Sequence, residues 1–199
     1  IENCILSGNI ARGAGGSGGA INFYGSSSRS LVKNCLITGN SATLYGGAIS
    51  SYILSSPDIR NCTFSKNTAR KQGGAIYCDW SCEPIVTDSI FESCNAHAIL
   101  EIAGDSATAV VKNTLFYNNS HGDYTLYDRV AAQFNDRTPA ELDPSNRSGD
   151  PMFVSGPFGE FYLNQGSSPA VNSGSRTAAA AGLNVFTTAP GEQADSSLV

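Results

Sequence analysis

The chain has 199 residues, of which 15 % are charged, below the roughly 25 % of an ordinary globular protein, and it carries a net charge of −5. That balance excludes a nucleic-acid surface, which needs clustered Lys and Arg. No apolar run approaches the roughly 18 residues a membrane helix requires.

In chain order, one string recurs. Glu2-Asn3-Cys4-Ile5-Leu6-Ser7-Gly8-Asn9 is followed by Gly18-Gly19-Ala20-Ile21. Lys33-Asn34-Cys35-Leu36-Ile37-Thr38-Gly39-Asn40 leads to Gly46-Gly47-Ala48-Ile49, and Arg60-Asn61-Cys62-Thr63-Phe64-Ser65-Lys66-Asn67 to Gly73-Gly74-Ala75-Ile76. Aligned on Asn3, Asn34, Asn61, Asp88 and Asn113, the copies are spaced 31, 27, 27 and 25 residues apart. A fixed period in this range marks a repeat architecture.

Within a copy, apolar and polar residues alternate on either side of the Asn. Ile1, Val32, Ile59, Val86 and Val111 stand two before it, and Leu6, Ile37, Phe64, Phe91 and Phe116 three after it. Alternation in β-branched and aromatic residues reads as short strands. The Asn interrupts it and reads as a bend, since Asn tolerates the left-handed region. A second column, Asn9, Asn40, Asn67, Cys94 and Asn119, precedes a Gly-Gly turn into a third strand. Three short strands per copy, stacked at about 4.8 Å, make a parallel β-helix, or β-solenoid, all-β in class. Stacking predicts amide ladders through Asn3, Asn34 and Asn61 and through Asn9, Asn40 and Asn67, with Cys4, Cys35 and Cys62 in a column of their own.

Copies four and five decay. A charged excursion is expected at 122–150, then one last coil from three short strands at 150–153, 160–163 and 168–174, giving about six coils over 1–175. The Ala- and Ser-rich stretch 176–199 reads as a cap, linker or disordered tail. The chain begins inside a repeat, which reads as a fragment or processed product, and its first coil as an open surface for a preceding segment of a longer chain or for self-association.

The Gly-Gly-Ala-Ile segments, with Phe64-Ser65-Lys66-Asn67 and Phe116-Tyr117-Asn118-Asn119, resemble the paired GGAI and FxxN segments of the polymorphic outer membrane protein repeat. The segments 150–153 and 168–174 look like the closing coil of secreted right-handed β-helix proteins. The resemblance implies a right-handed helix, a secreted or cell-surface location and an adhesive or structural role, including end-to-end filaments.

The candidate chemistry is sparse. Cys78 and Cys82 flank Asp79-Trp80-Ser81, a spacing read as a local disulfide; no second pair completes a metal site. His97 and His121 are the only histidines, and no cofactor is called for. Tyr24, Tyr52, Tyr77 and Trp80 fall beside the third strand and form a candidate glycan-binding surface. The alternative function is a polysaccharide lyase or glycoside hydrolase, which would draw its acids and bases from Glu101, Asp105, Asp123, Asp128, Arg129, Asp136 and Arg137.

Overall fold

In the computed structural model the described residues are 1–25, 29–103, 109–156 and 159–175. Each coil after the first contributes one strand to each of three faces, and the first contributes to two. The first face holds Leu31–Lys33, Asp58–Arg60, Ile85–Thr87 and Val110–Lys112. The second holds Ile5–Ser7, Leu36–Thr38, Thr63–Ser65, Ile90–Glu92 and Leu115–Tyr117, with Arg147–Ser148 at its end. The third holds Ile21–Tyr24, Ile49–Tyr52, Ile76–Cys78, Ile99–Ala103 and Tyr124–Asp128. Two-residue strands Ile10–Ala11, Ser41–Ala42 and Thr68–Ala69 lie between the second and third faces. Pairing from coil to coil is parallel and in register, Val32 on Ile59 and Ile37 on Phe64.

Register turns the sequence columns into a core. Val32, Ile59, Val86 and Val111 line one inner wall and Ile37, Phe64, Phe91 and Phe116 another, all buried. The Phe rings stack, with centroids 4.6 Å apart for Phe64 and Phe91 and 5.2 Å for Phe91 and Phe116. Burial of each such side chain contributes about 1.5–3 kcal/mol.

The corner between the first and second faces is the Asn column. Asn3, Asn34, Asn61, Asp88 and Asn113 all have φ between 49° and 54°. The next residue completes the corner. Cys4, Cys35 and Cys62 donate through Sγ to the carbonyls of Glu2, Lys33 and Arg60, and Ser89 and Thr114 donate through their hydroxyls to those of Thr87 and Lys112. A small donor is what the column requires, so Cys, Ser and Thr interchange there. In the outer column Asn34 Nδ2 donates to Asn3 Oδ1 at 2.5 Å. The expected hydrogen bond between Asn34 and Asn61 is not made. At the next step Asn61 Oδ1 is buried without a partner, because the position that would donate to it is Asp88, whose carboxylate has no hydrogen to give an amide oxygen.

The inner column is better connected. Asn9 Nδ2 donates to Asn40 Oδ1 at 2.9 Å, and Asn40 Nδ2 to Asn67 Oδ1 at 3.0 Å. The same oxygens accept the backbone N–H of Asn9 and Asn40. Gly46 and Gly47 then turn the chain tightly. Gly46 has φ 63°, and a Cβ on Gly47 would lie 2.1 Å from the carbonyl oxygen of Gly74 in the next coil. Coil four replaces this glycine pair with Ala96 and His97, both in the left-handed region. Ala96 therefore stands over Gly73, accepting its N–H, and not in the column of Ala11, Ala42 and Ala69 that its spacing from Cys94 implies.

The helix makes about four turns, fewer than the six expected, because the chain twice reverses. Tyr124–Asp128 extends the third face, and Gln133–Arg137 then pairs with it antiparallel, so part of the charged stretch continues the sheet. After a short helix Pro139–Leu142, Arg147–Ser148 rejoins the second face. Phe153–Gly156 and Gly159–Leu163 pair with each other as a hairpin and do not form a further coil. Leu163 and Ala170 pack on the outward side chains Ile90 and Leu115. The chain then reaches Asp88, whose carboxylate accepts the N–H and hydroxyl of Ser175 at 2.6 and 2.7 Å. The stretch 176–199 lies outside the described residues.

Candidate functional site: an aromatic ridge on the third face

Alternation along the third face sends Ile49 and Ile76 into the core and leaves Tyr52 and Tyr77 outside. Tyr24 and Tyr52 occupy the same position in adjacent coils and are in register. Their rings are 6.5 Å apart, Tyr52 and Tyr77 are 5.6 Å apart, and Tyr45 stacks on Tyr77 at 4.4 Å with 17° between planes. Four rings thus cluster over three coils, Tyr24 in the first, Tyr45 and Tyr52 in the second and Tyr77 in the third. Tyr45 covers Tyr77, which is 4 % exposed, while Tyr24 is 71 % exposed. The Tyr52 hydroxyl donates to Ser17 Oγ at 3.5 Å, and Lys71 Nζ lies 5.8 Å from the Tyr45 ring centre. Beside Tyr24 a hollow of about 210 Å³ is lined by Asn22, Ser30, Ser55 and Ser56 among others.

The ridge ends at a polar knot. Asp79 is 6 % exposed; it accepts the Tyr77 hydroxyl at 3.0 Å and the Trp80 N–H at 2.8 Å, and it pairs with Arg129. The Arg129 guanidinium lies 5.2 Å from the Trp80 ring centre, a cation–π arrangement that holds the exposed indole in place. Burial, with the Asp79 charge second, raises the Tyr77 phenol well above its ordinary value, so it stays a neutral donor. Burial likewise raises Tyr52.

The residues named from sequence as a glycan surface, Tyr24, Tyr52, Tyr77 and Trp80, lie on this one face. Tyr45 was missed, and Arg129 was considered only among catalytic candidates. Tyr45 precedes the Gly-Gly turn in one copy alone, and Arg129 is 49 residues beyond Trp80, in the turn between Tyr124–Asp128 and Gln133–Arg137.

The disulfide expected between Cys78 and Cys82 is not formed; both are free and buried, as are Cys35, Cys62 and Cys94, while Cys4 is exposed. Cys78 points into the core from its strand, and Cys82 Sγ donates to the Asp79 carbonyl at 2.8 Å, so each thiol is already accommodated. Burial raises both. Burial pushes the Cys62 thiol up, and the neighbouring Cys35 thiol goes down chiefly through its interaction with Cys62.

The carboxylates and arginines considered for catalysis are dispersed. Glu101 is inside the coil, 2 % exposed, where Oε2 accepts the Ala109 N–H and the Tyr124 hydroxyl. Asp123 accepts from Asn119, Asp136 from Thr125, Asp128 from the N–H groups of Val130 and Ala131, and Arg129 belongs to Asp79. Asp105 lies outside the described residues. His97 and His121 approach ring to ring at 5.8 Å, and His97 stacks on Phe134. Among the described residues no group of three or more His, Cys, Asp or Glu is placed to hold a metal ion, and no helix is long and apolar enough to cross a membrane. A cleft of about 350 Å³ between the second face and the C-terminal hairpin is lined by Glu92, Asp150, Glu160, Tyr117 and Phe161 among others. Sequence reading missed it because the hairpin was expected to be a coil.

No curated protein and no solved structure matches the chain. The family described as "Right handed beta helix region" matches residues 1–137, the coils that carry the Asn corners, the inner ladder and the tyrosine ridge, and the chain belongs to that family.

Proposed function

We propose that this is a secreted or cell-surface β-helix with an adhesive role, whose tyrosine ridge on the third face binds glycans. The carrying observation is the cluster of four rings over three coils, with Tyr24 exposed, Tyr52 and Tyr45 half-buried and Tyr77 packed beneath Tyr45 as their support, beside a hollow lined by Ser and Asn. Tyrosine offers an apolar face for the C–H side of a sugar ring and a hydroxyl for its edge. Tyr24 and Tyr52, in register on adjacent rungs spaced about 4.8 Å apart, suit an extended chain of sugars lying along the axis. The resemblance of the repeat to that of the polymorphic outer membrane proteins supports the location.

Trp80 is the single tryptophan, so its fluorescence reports events at the end of the ridge. Titration with a panel of neutral and acidic oligosaccharides should shift that emission, with longer chains binding more tightly. Tyr24→Ala with Tyr52→Ala should weaken binding at least tenfold, or about 1.4 kcal/mol. Unchanged affinity in the double variant, or no binding across the panel, would overturn the reading.

The same proposal includes end-to-end contact. Strands Ile5–Ser7 and Ile21–Tyr24 are the outermost members of their sheets, with Ile1 and Ile5 51 % and 66 % exposed, while Leu31–Lys33 is already covered by residues 1–3, Lys33 N–H donating to the Ile1 carbonyl and Asn3 N–H to the Lys33 carbonyl. A further coil, from a longer chain or a second copy, pairs there. Light scattering of this chain should show concentration-dependent growth that Ile5→Pro or Leu6→Pro suppresses, since proline removes a ladder donor. A monomer at all concentrations would exclude assembly between copies.

A further inference from the structure

Three Asn-x-Ser/Thr triplets stand in the sequence: Asn61-Cys62-Thr63, Asn118-Asn119-Ser120 and Asn146-Arg147-Ser148. Such triplets are acceptors of N-linked glycosylation. The fold treats the three differently. Asn61 is 4 % exposed in the corner between the first and second faces. Asn146 is 5 % exposed and its amide is fully used: Nδ2 donates to the carbonyls of Val111 and Pro139 at 2.9 and 3.2 Å, and Oδ1 accepts the Thr114 N–H at 3.1 Å. A sugar on either would have to displace the coil.

Asn118 is exposed and stands at a different corner, where each coil leaves the second face. That corner is Gly8, Gly39, Lys66, Ser93 and Asn118, with φ between 51° and 65° throughout. Its substituents run into solvent: a Cβ on Gly8 or Gly39 meets no atom within 4 Å, and Lys66 is exposed. The Asn118 amide donates a single surface hydrogen bond, from Nδ2 to Ser93 Oγ at 3.2 Å, which the N–H left after modification can keep.

We propose that Asn118 carries an N-linked glycan and that it is the one triplet of the three on which the folded protein accepts it. The inference rests on the secreted reading, because the donor is found on the export route. In the transfer, Nδ2 of Asn118 bonds to the anomeric carbon of a polyprenyl-diphosphate-linked oligosaccharide. The bond from that carbon to the diphosphate oxygen breaks, the lipid diphosphate leaves with the electron pair, and the amide loses one proton to the transferase. No oxidation or reduction occurs.

The test is expression of the chain behind a secretion signal in a eukaryotic host, followed by peptide mapping of the exported, folded fraction after enzymatic deglycosylation in heavy-oxygen water. The expected result is label at Asn118 and none at Asn61 or Asn146. Asn118→Gln should abolish the glycan and Ser120→Thr should keep it, with export unchanged in both. An unlabelled Asn118, or label at Asn61 or Asn146 in the folded fraction, overturns the assignment. Native location is read separately, by fractionating the source cells and medium, so a failure of the secreted reading and a failure of the acceptor assignment give different results.

Discussion

A stacked phenylalanine is held by the coils above and below as much as by its own strand. Phe64→Ala removes a ring that is fully buried and parallel to Phe91 within 2°, and should cost about 3–5 kcal/mol in urea unfolding through the cavity it leaves; a loss under 1 kcal/mol would place the ring in solvent. Glu101 is the opposite case, a carboxyl inside the coil with Oε1 unpartnered. Burial raises it above the ordinary glutamate value of about 4.3, with the Ala109 N–H and the Tyr124 hydroxyl opposing. Below that value the group is neutral in folded and unfolded chains alike and adds no pH dependence. Above it the unfolded chain releases its proton first, and stability falls with rising pH until the folded carboxyl ionises too. Glu101→Gln should therefore gain on the parent as pH rises from about 4. Denaturant midpoints across pH 3 to 8 would show it, and a gap that does not vary with pH would mean that Glu101 ionises normally.

Among the elements, the inner Asn column shows what a single departure does. The amides of Asn9, Asn40 and Asn67 hand one hydrogen bond to the next coil, but Cys94 interrupts the series, and its Sγ reaches the Phe64 carbonyl only at 3.8 Å. The column resumes at Asn119, whose Oδ1 accepts the Cys94 N–H. Cys94→Asn should restore the series, leaving its Oδ1 to accept from Asn67 and its Nδ2 to bond Phe64, and should stabilise the protein by about 1–2 kcal/mol. A destabilised variant would show that coil four is too narrow for the amide. The same column explains what could be read beforehand. Coils one to three repeat residue identity, so strands, corners and inner faces followed from stacking alone. In coil four the distance from Cys94 to the turn is shorter, so spacing alone would set Ala96 with Ala69, while the hydrogen bond from Gly73 places it at the glycine corner. The reversals at 133–137 and 153–163 carry no repeat. Gln133–Arg137 has a single apolar residue, Phe134, and is exposed throughout, so nothing marks it as a strand but its partner, while 153–156 and 159–163 are distinguished from coil strands only by pairing antiparallel with each other.

Across the whole molecule, the returning segment up to Ser175 ties back to coil four. The outward row of the second face passes from Ile5 and Leu36 through Thr63 to Ile90 and Leu115, and the returning segment covers its apolar end with Leu163 and Ala170. Its last described residue, Ser175, is held 87 positions away by both oxygens of Asp88. This accounts for the one acidic residue in the Asn corner column: an amide offers one acceptor atom, a carboxylate two. Asp88→Asn brings coil four closer to the repeat, so the corner at φ 52° should form as it does at Asn61. The contact with Ser175 should nonetheless weaken, since hydrogen bonds to a charged acceptor are worth about 1.5–3 kcal/mol and those to a neutral one nearer 1. Hydrogen exchange separates the two effects. Amides of Ile90–Glu92, sandwiched between coils, should keep their protection in the variant, while those of 168–175 should exchange faster. If 168–175 exchanges at the parent rate, the segment is held by Leu163 and Ala170 alone and the carboxylate has no part in closing the helix.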